Sequence, residues 1–302
     1  MPAVPTPRRA VDGVLLLDKP SGITSNAALQ TARRLLTARK AGHTGTLDPM
    51  ASGLLPLTFG EATKFSQMLL DADKTYEAGV RLGIQTNTGD TEGTVLAIQP
   101  VDVDETALRA VLARFTGEIE QTPPMYSALK RDGKPLYEYA RAGIEIERAP
   151  RRVTITELTL LAFEKDRLDL RIACSKGAYI RSLAVDIGAT LGCGAHLDAL
   201  RRTRIGVFDL SVSVTLDAIE TCDPAQRDDL LAPVDTLLKA FPKLELDSIC
   251  AQLILQGQPL CLPERKAPPG DCARLYGPNG FLGLGQWKED GRLWPKRLIA
   301  TA

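Results

Sequence analysis

The chain of 302 residues carries 37 Lys and Arg against 37 Asp and Glu, with 44% hydrophobic and 25% charged residues. That composition excludes a mostly disordered or collagenous chain, and the length predicts one large domain with a smaller companion. No apolar run reaches the roughly 20 residues needed to cross a bilayer, and the start MPAVPTPRRA lacks the hydrophobic stretch of a signal peptide. A cytoplasmic protein with no membrane partner is expected.

Residues 1–10 read as a flexible tail. Val14 to Leu17 reads as a buried strand, and Leu29, Ala32, Leu35 and Leu36 recur at helical spacing. GHTGTLDP, residues 42–49, is predicted as a loop, punctuated by two glycines and a proline. Tyr76, Ala78, Val80 and Leu82 alternate with polar residues as in a half-buried strand. Leu108, Val111, Leu112 and Phe115 form a helical stripe. Val153 to Phe163 and Leu168 to Cys174 are strand-like, and Ile180, Leu183, Ala184, Ile187 and Leu191 are helical. A boundary is expected near Phe241, followed by a small β-rich unit with strands at Ala273–Tyr276, Phe281–Trp287 and Leu298–Ala300.

The six cysteines are scattered without a C-x-x-C pair, which predicts buried free thiols over a disulfide frame or a zinc site. Charge is uneven along the chain. Basic residues gather at Arg8, Arg9, Lys19, Arg33, Arg34, Arg39 and Lys40, again at Lys130, Arg131, Lys134, Arg141, Arg148, Arg151 and Arg152, and at Arg201, Arg202 and Arg204. Acids collect at Asp217, Glu220, Asp223, Asp228, Asp229 and Asp235. The neutral total excludes a generic polycation, while the basic stretches are those of a protein that grips phosphates.

The densest chemistry lies in GHTGTLDP. Pro49 biases Asp48 toward an extended or turn backbone, and Gly42 and Gly45 allow a sharp bend around His43. Taken alone, Asp48 reads as the head of an Asx-turn. The loop is not a P-loop, because no Gly-Lys-Ser/Thr follows.

Together with GVLLLDKPSGITSN (13–26), GEATK (60–64), KTY (74–76), QTPPMYSALK (121–130), LYEYAR (136–141), CSKGAYIRSL (174–183), GAHL (194–197) and LRR (200–202), that loop resembles the bacterial tRNA pseudouridine-55 synthase family, TruB. The resemblance is strong over roughly residues 11–210. It implies an α+β pseudouridine-synthase fold with a mixed, largely antiparallel sheet, an RNA-clasp insertion at about 121–152 and a catalytic domain over 11–240. A PUA-like RNA-binding domain at 241–302 would follow. The implied reaction detaches a uridine at its glycosidic bond, rotates it and rejoins it through C5, in the T-arm loop of tRNA.

By resemblance, Asp48 is the nucleophile, Arg181 its guanidinium partner, and Tyr76 the ring that stacks on the base and helps remove a proton. Tyr179 and Leu200 are expected to contact the flipped uridine, and His43 to fill the space it leaves. Lys19 and Lys64 are expected to support the site or hold phosphates, and Lys130 and Arg141 to clasp the RNA. A carboxylate is ionised at pH 7 and can attack carbon. Attack on C1′, addition to C6 and abstraction of a ribose proton all remain open. The reaction involves no redox change, so no cofactor or metal is expected. A stand-alone monomer without a guide RNA is expected too. Two rivals remain: a protein that only opens and refolds tRNA elbows, and a synthase acting on another RNA loop.

Overall fold

In the computed structural model, which describes residues 7–262 and 267–300, strands dominate. The first half contains β1 (Gly13–Lys19), α1 (Ser25–Leu35), β2 (Ala41–His43), β3 (Ser52–Phe59), α2 (Ser66–Leu70), β4 (Lys74–Leu82), β5 (Ile84–Thr86), β6 (Val95–Ile98) and α3 (Glu105–Arg114). Next come β7 (Gly117–Gln121), β8 (Lys130–Arg131), β9 (Lys134–Pro135), α4 (Leu136–Arg141), β10 (Arg151–Glu164), β11 (Arg167–Cys174), α5 (Ile180–Leu191) and β12 (Ala195–Ile205). The remainder is β13 (Phe208–Asp209), β14 (Val214–Thr215), α6 (Leu216–Thr221), β15 (Lys243–Glu245), α7 (Ser248–Leu255), β16 (Cys272–Gly277), β17 (Gly280–Trp287) and β18 (Leu293–Leu298).

One sheet runs in the order β14-β1-β3-β12-β4-β11-β10-β7. Only β1–β14 and β3–β12 pair in parallel, so the sheet is mixed and largely antiparallel. The period of two explains its layers. Leu15 and Leu17 of β1, and Leu55, Leu57 and Phe59 of β3, face a core shared with α1, α3 and α5. Val14 and Leu54, on the opposite face of the same strands, join Phe65, Leu69, Leu237 and Leu238 in a second cluster. Strands buried on both faces read as continuous apolar runs, as GVLLL and SGLLPL do.

The second cluster also takes in Cys272 and Leu284 of the C-terminal unit, a four-stranded sheet in the order β15-β16-β17-β18. Its last strand is Leu293–Leu298, five residues earlier than the expected Leu298–Ala300. Pro295 argues against a strand in sequence, but β18 is an edge, where a missing N–H is tolerated. Residues 1–6 of the expected tail lie outside the described residues. Arg9, within that tail, is fastened to Asp228 at 2.6 Å and Thr37 at 3.0 Å. All six cysteines are free thiols, and Cys174, Cys193 and Cys272 are buried.

Three features of this frame bear on the site. Gly53 on β3 lies so close to β12 that an added Cβ would sit 2.3 Å from the Arg202 carbonyl oxygen, at a φ of +100°. Between the paired strands β7 and β10, residues 122–150 leave the sheet, carrying the small β8–β9 hairpin and α4. α5 packs on β12 and begins where that insertion starts.

Candidate active site

The GHTGTLDP segment is partly strand: Ala41–His43 pairs with β3, and the loop proper spans Thr44 to Met50. Its shape is set from below. Thr44 is buried and donates to the Pro56 carbonyl. Ser25, the first residue of α1, is 2% exposed; its hydroxyl donates to the Leu47 carbonyl at 3.0 Å and accepts from the Leu47 amide at 2.8 Å. The helix starts there because the Thr24 hydroxyl accepts from the Ala27 amide. Leu47 is thus clamped, and Asp48 next to it is presented at a fixed angle.

The Asp48 carboxylate is 35% exposed, and its Oδ2 lies 3.0 Å from Nε of Arg181. Arg181 itself is 5% exposed. The same nitrogen stands 3.4 Å from the buried Asp90, while Nη1 and Nη2 donate to the carbonyls of Thr88 at 3.1 Å and Tyr126 at 2.6 Å. One guanidinium therefore ties together the Thr44–Met50 loop, the turn after β5 and the insertion. Its place in the first turn of α5 is secured by Gln121, whose side chain accepts from the Tyr179 amide at 2.7 Å and donates to the Tyr179 carbonyl at 3.0 Å. Asp90 is held in turn by the Thr88 hydroxyl at 2.6 Å and the Glu92 amide at 3.1 Å.

Burial raises the Asp48 pKa above its ordinary value, Arg181 opposes that rise, and the Asp90 charge adds to it. Lys19, fully buried at the end of β1, donates to the carbonyls of Pro20 at 2.8 Å and Ile23 at 2.7 Å. Burial pushes its pKa down to about 8, with the Asp48 charge pulling it back up. Tyr76 on β4 is buried, and its phenol is pushed up by burial with Arg202 opposing. Burial also raises the Tyr179 phenol. It lowers His43, which is consequently neutral at pH 7.

Lys19, Tyr76 and Tyr179 each lie within the electrostatic reach of Asp48, which Arg181 pairs directly. Leu200 lines, with Met50, Ser52 and Arg201, an open groove of about 710 Å³ beside the loop. Lys130 and Arg141 are exposed on the insertion, Arg141 resting 5.3 Å over the Tyr137 ring. Lys64 lies elsewhere: its ammonium pairs with Glu61 at 2.6 Å and donates to the Leu298 carbonyl at 3.0 Å, at the junction with the C-terminal sheet. The basic run 201–204 is also not a free patch. Arg201 pairs with Asp18 at 2.7 Å, Arg204 stands 3.8 Å from Asp209, and Arg202 is buried.

Sequence reasoning missed Asp90, Ser25 and Gln121. A buried Asp in a turn carries no local signal of its role; Ser25 and Gln121 were visible only as parts of longer motifs.

Residues 33–180 match the description TruB family pseudouridylate synthase (N terminal domain). Residues 181–239 match tRNA pseudouridylate synthase B C-terminal domain, and 242–299 match Pseudouridine synthase II TruB, C-terminal. A protein of Azoarcus sp. (strain BH72) named tRNA pseudouridine synthase B is 67% identical across 98% of this chain and 97% of its own length. The chain belongs to the TruB family of pseudouridylate synthases. Another relative of that name, from Burkholderia lata, is 58% identical over 98% of this chain and 92% of its own. Among solved structures, an H/ACA RNP bound to a substrate RNA containing 2′-deoxyuridine superposes at a TM-score of 0.72 with 26% identity, covering 96% of this chain and 85% of that one. A Cbf5-Nop10-Gar1 complex gives the same TM-score at 28% identity, covering 95% and 84%. This chain thus shares its fold with chains of an RNA–protein particle and of a multi-protein complex.

Proposed function

We infer that this chain isomerises uridine to pseudouridine in tRNA, at position 55 of the T-arm loop, with Asp48 as the nucleophile. The observation that carries this is the Asp48–Arg181–Asp90 network: a partly exposed, ionisable carboxylate held by a guanidinium that is itself buried. A pure RNA binder has no use for such a device. The C1′–N1 bond breaks, a C1′–C5 bond forms, the C5 proton leaves and N1 gains one, so the product is an isomer. Asp48 must be ionised to act, and Arg181 keeps it so against the effect of burial.

The uridine has to leave its stack first, at a cost of about a few kcal/mol. Tyr76, Tyr179 and Leu200 receive it, neutral His43 occupies the vacated space, and Lys130 and Arg141 on the insertion clasp the backbone. Phosphate contacts of this kind position the RNA without reading its sequence. The C-terminal sheet, PUA-like in role, adds RNA-binding surface. The enzyme works as a cytoplasmic monomer without a guide RNA, the insertion and the fused C-terminal sheet serving in place of partner subunits.

The test is to incubate the chain with unmodified tRNA, map pseudouridine, and repeat with Asp48→Asn. Modification at position 55 is expected from the wild type and none from the variant. Unmodified tRNA with the wild type would overturn the enzymatic conclusion; modification surviving in the variant would overturn Asp48 as nucleophile.

A further inference from the structure

Arg202 is the largest side chain that the sheet buries completely, at 2% exposed, and the chemistry so far gives it no task. It stands directly opposite Tyr76 in the pairing of β12 with β4, a position from which side chains on one face meet. Gly53 pins its backbone from the other side. Nε donates to the Leu54 carbonyl at 2.8 Å, Nη1 lies alongside Gly45 of the catalytic loop, and the buried Nη2 has no hydrogen-bond partner. Its neighbours Arg201 and Arg204 meet carboxylates near the surface. For Arg202 the acidic group close enough to matter is the Tyr76 phenol.

Burying a guanidinium without a carboxylate is costly. Donors are all that a guanidinium carries. A phenol oxygen beside it can therefore only accept from it, which turns the phenol's own hydrogen away from Arg202. We propose that Arg202 is a positioning residue of this site, holding the Tyr76 phenol oxygen from the neighbouring strand and directing the phenol hydrogen at the flipped base. Tyr76 then meets the base as a polarised hydrogen-bond donor. This rests on the conclusion above that Tyr76 faces the target uridine. The fixed charge also counters the burial that would otherwise make the phenol inert.

Arg202→Met removes the charge at nearly constant length. Ionisation of Tyr76 is read without RNA, by ultraviolet difference spectra against Tyr76→Phe in each background, and kcat and KM for tRNA are followed across pH. In Arg202→Met the Tyr76 titration should rise by roughly one to three pH units. The kcat should fall about tenfold or more while KM stays within about twofold. Arg202→Lys, which keeps the charge, should hold the titration near the wild type and recover part of kcat. An unchanged titration and pH profile, with only a lower melting temperature, would overturn the proposal and leave Arg202 a packing residue. Where Arg202→Met does not fold, Arg202→Gln, still able to donate to Leu54, carries the same comparison. A wild type that modifies no tRNA sinks the proposed reaction, whereas the RNA-free titration alone decides whether Arg202 controls Tyr76.

Discussion

Replacing Arg181 with methionine strips the shared counter-charge from two carboxylates at once. At 3.0 Å from Asp48, a unit pair is worth about 5–6 kcal/mol at an effective dielectric of ~20. Asp48 is partly open to water, so solvent screens much of that, and a loss of roughly one to three pH units of carboxylate stabilisation is the realistic range. The sign follows from the cause. Burial already raises the Asp48 pKa and Arg181 lowers it, so without Arg181 the carboxyl titrates higher still. With Asp48 as the proposed nucleophile the ionised form is the active one, so the acid limb of the single-turnover rate should move to higher pH by that amount. Asp90, 3% exposed, would also be left buried without a cation, at a cost of about 3–5 kcal/mol in thermal unfolding. Arg181→Lys should restore most of the limb while losing the hydrogen bonds to Thr88 and Tyr126. An Arg181→Met variant with the wild-type acid limb would refute the assignment of Arg181 as the group that keeps Asp48 ionised.

Ser25→Ala removes both hydrogen bonds to Leu47; it should destabilise the fold by about 1–3 kcal/mol and lower kcat more than it raises KM, because the loop rather than the RNA surface is loosened. Gly53→Ala forces a Cβ against the Arg202 carbonyl at positive φ, and chemical denaturation should show a loss of about 2–4 kcal/mol. Replacing Lys130 and Arg141 together with alanine should leave the melting temperature nearly unchanged. The same pair should flatten the plot of log binding constant against log salt by about one to two units, and an unaltered slope would count against the clasp.

How legible the chain was depended on where its buried faces lay. The stripe of α1 and the alternation of β4 face one core each, so period alone locates them. β12 is different. AHLDALRRTRI shows no simple period and is assigned no element from sequence, yet it runs through the middle of the sheet. Its register shifts against β4 at Ala199 and Arg204 break the alternation, and its Arg202 is buried against expectation. Asp48 and Arg181 were reachable through motifs. The residues that make them work come from distant turns: Asp90 follows β5, and Ser25 starts a helix 22 positions before Leu47. No local pattern announces a pairing that only the folded sheet creates.

The apolar seam between the two sheets has a practical consequence. Phe65, Leu237 and Leu284 are packed into it alongside Val14 and Leu54, which belong to the strands that carry Lys19 and Gly53. Glu61 holds both the Lys64 ammonium and the Ala300 amide, stitching the seam at its rim. The C-terminal sheet is thus a buttress as much as an appendage. A chain cut near residue 240 would bare an oily flank behind the reacting groups, and the shortened protein should clump or slacken at the very strands on which Asp48 depends.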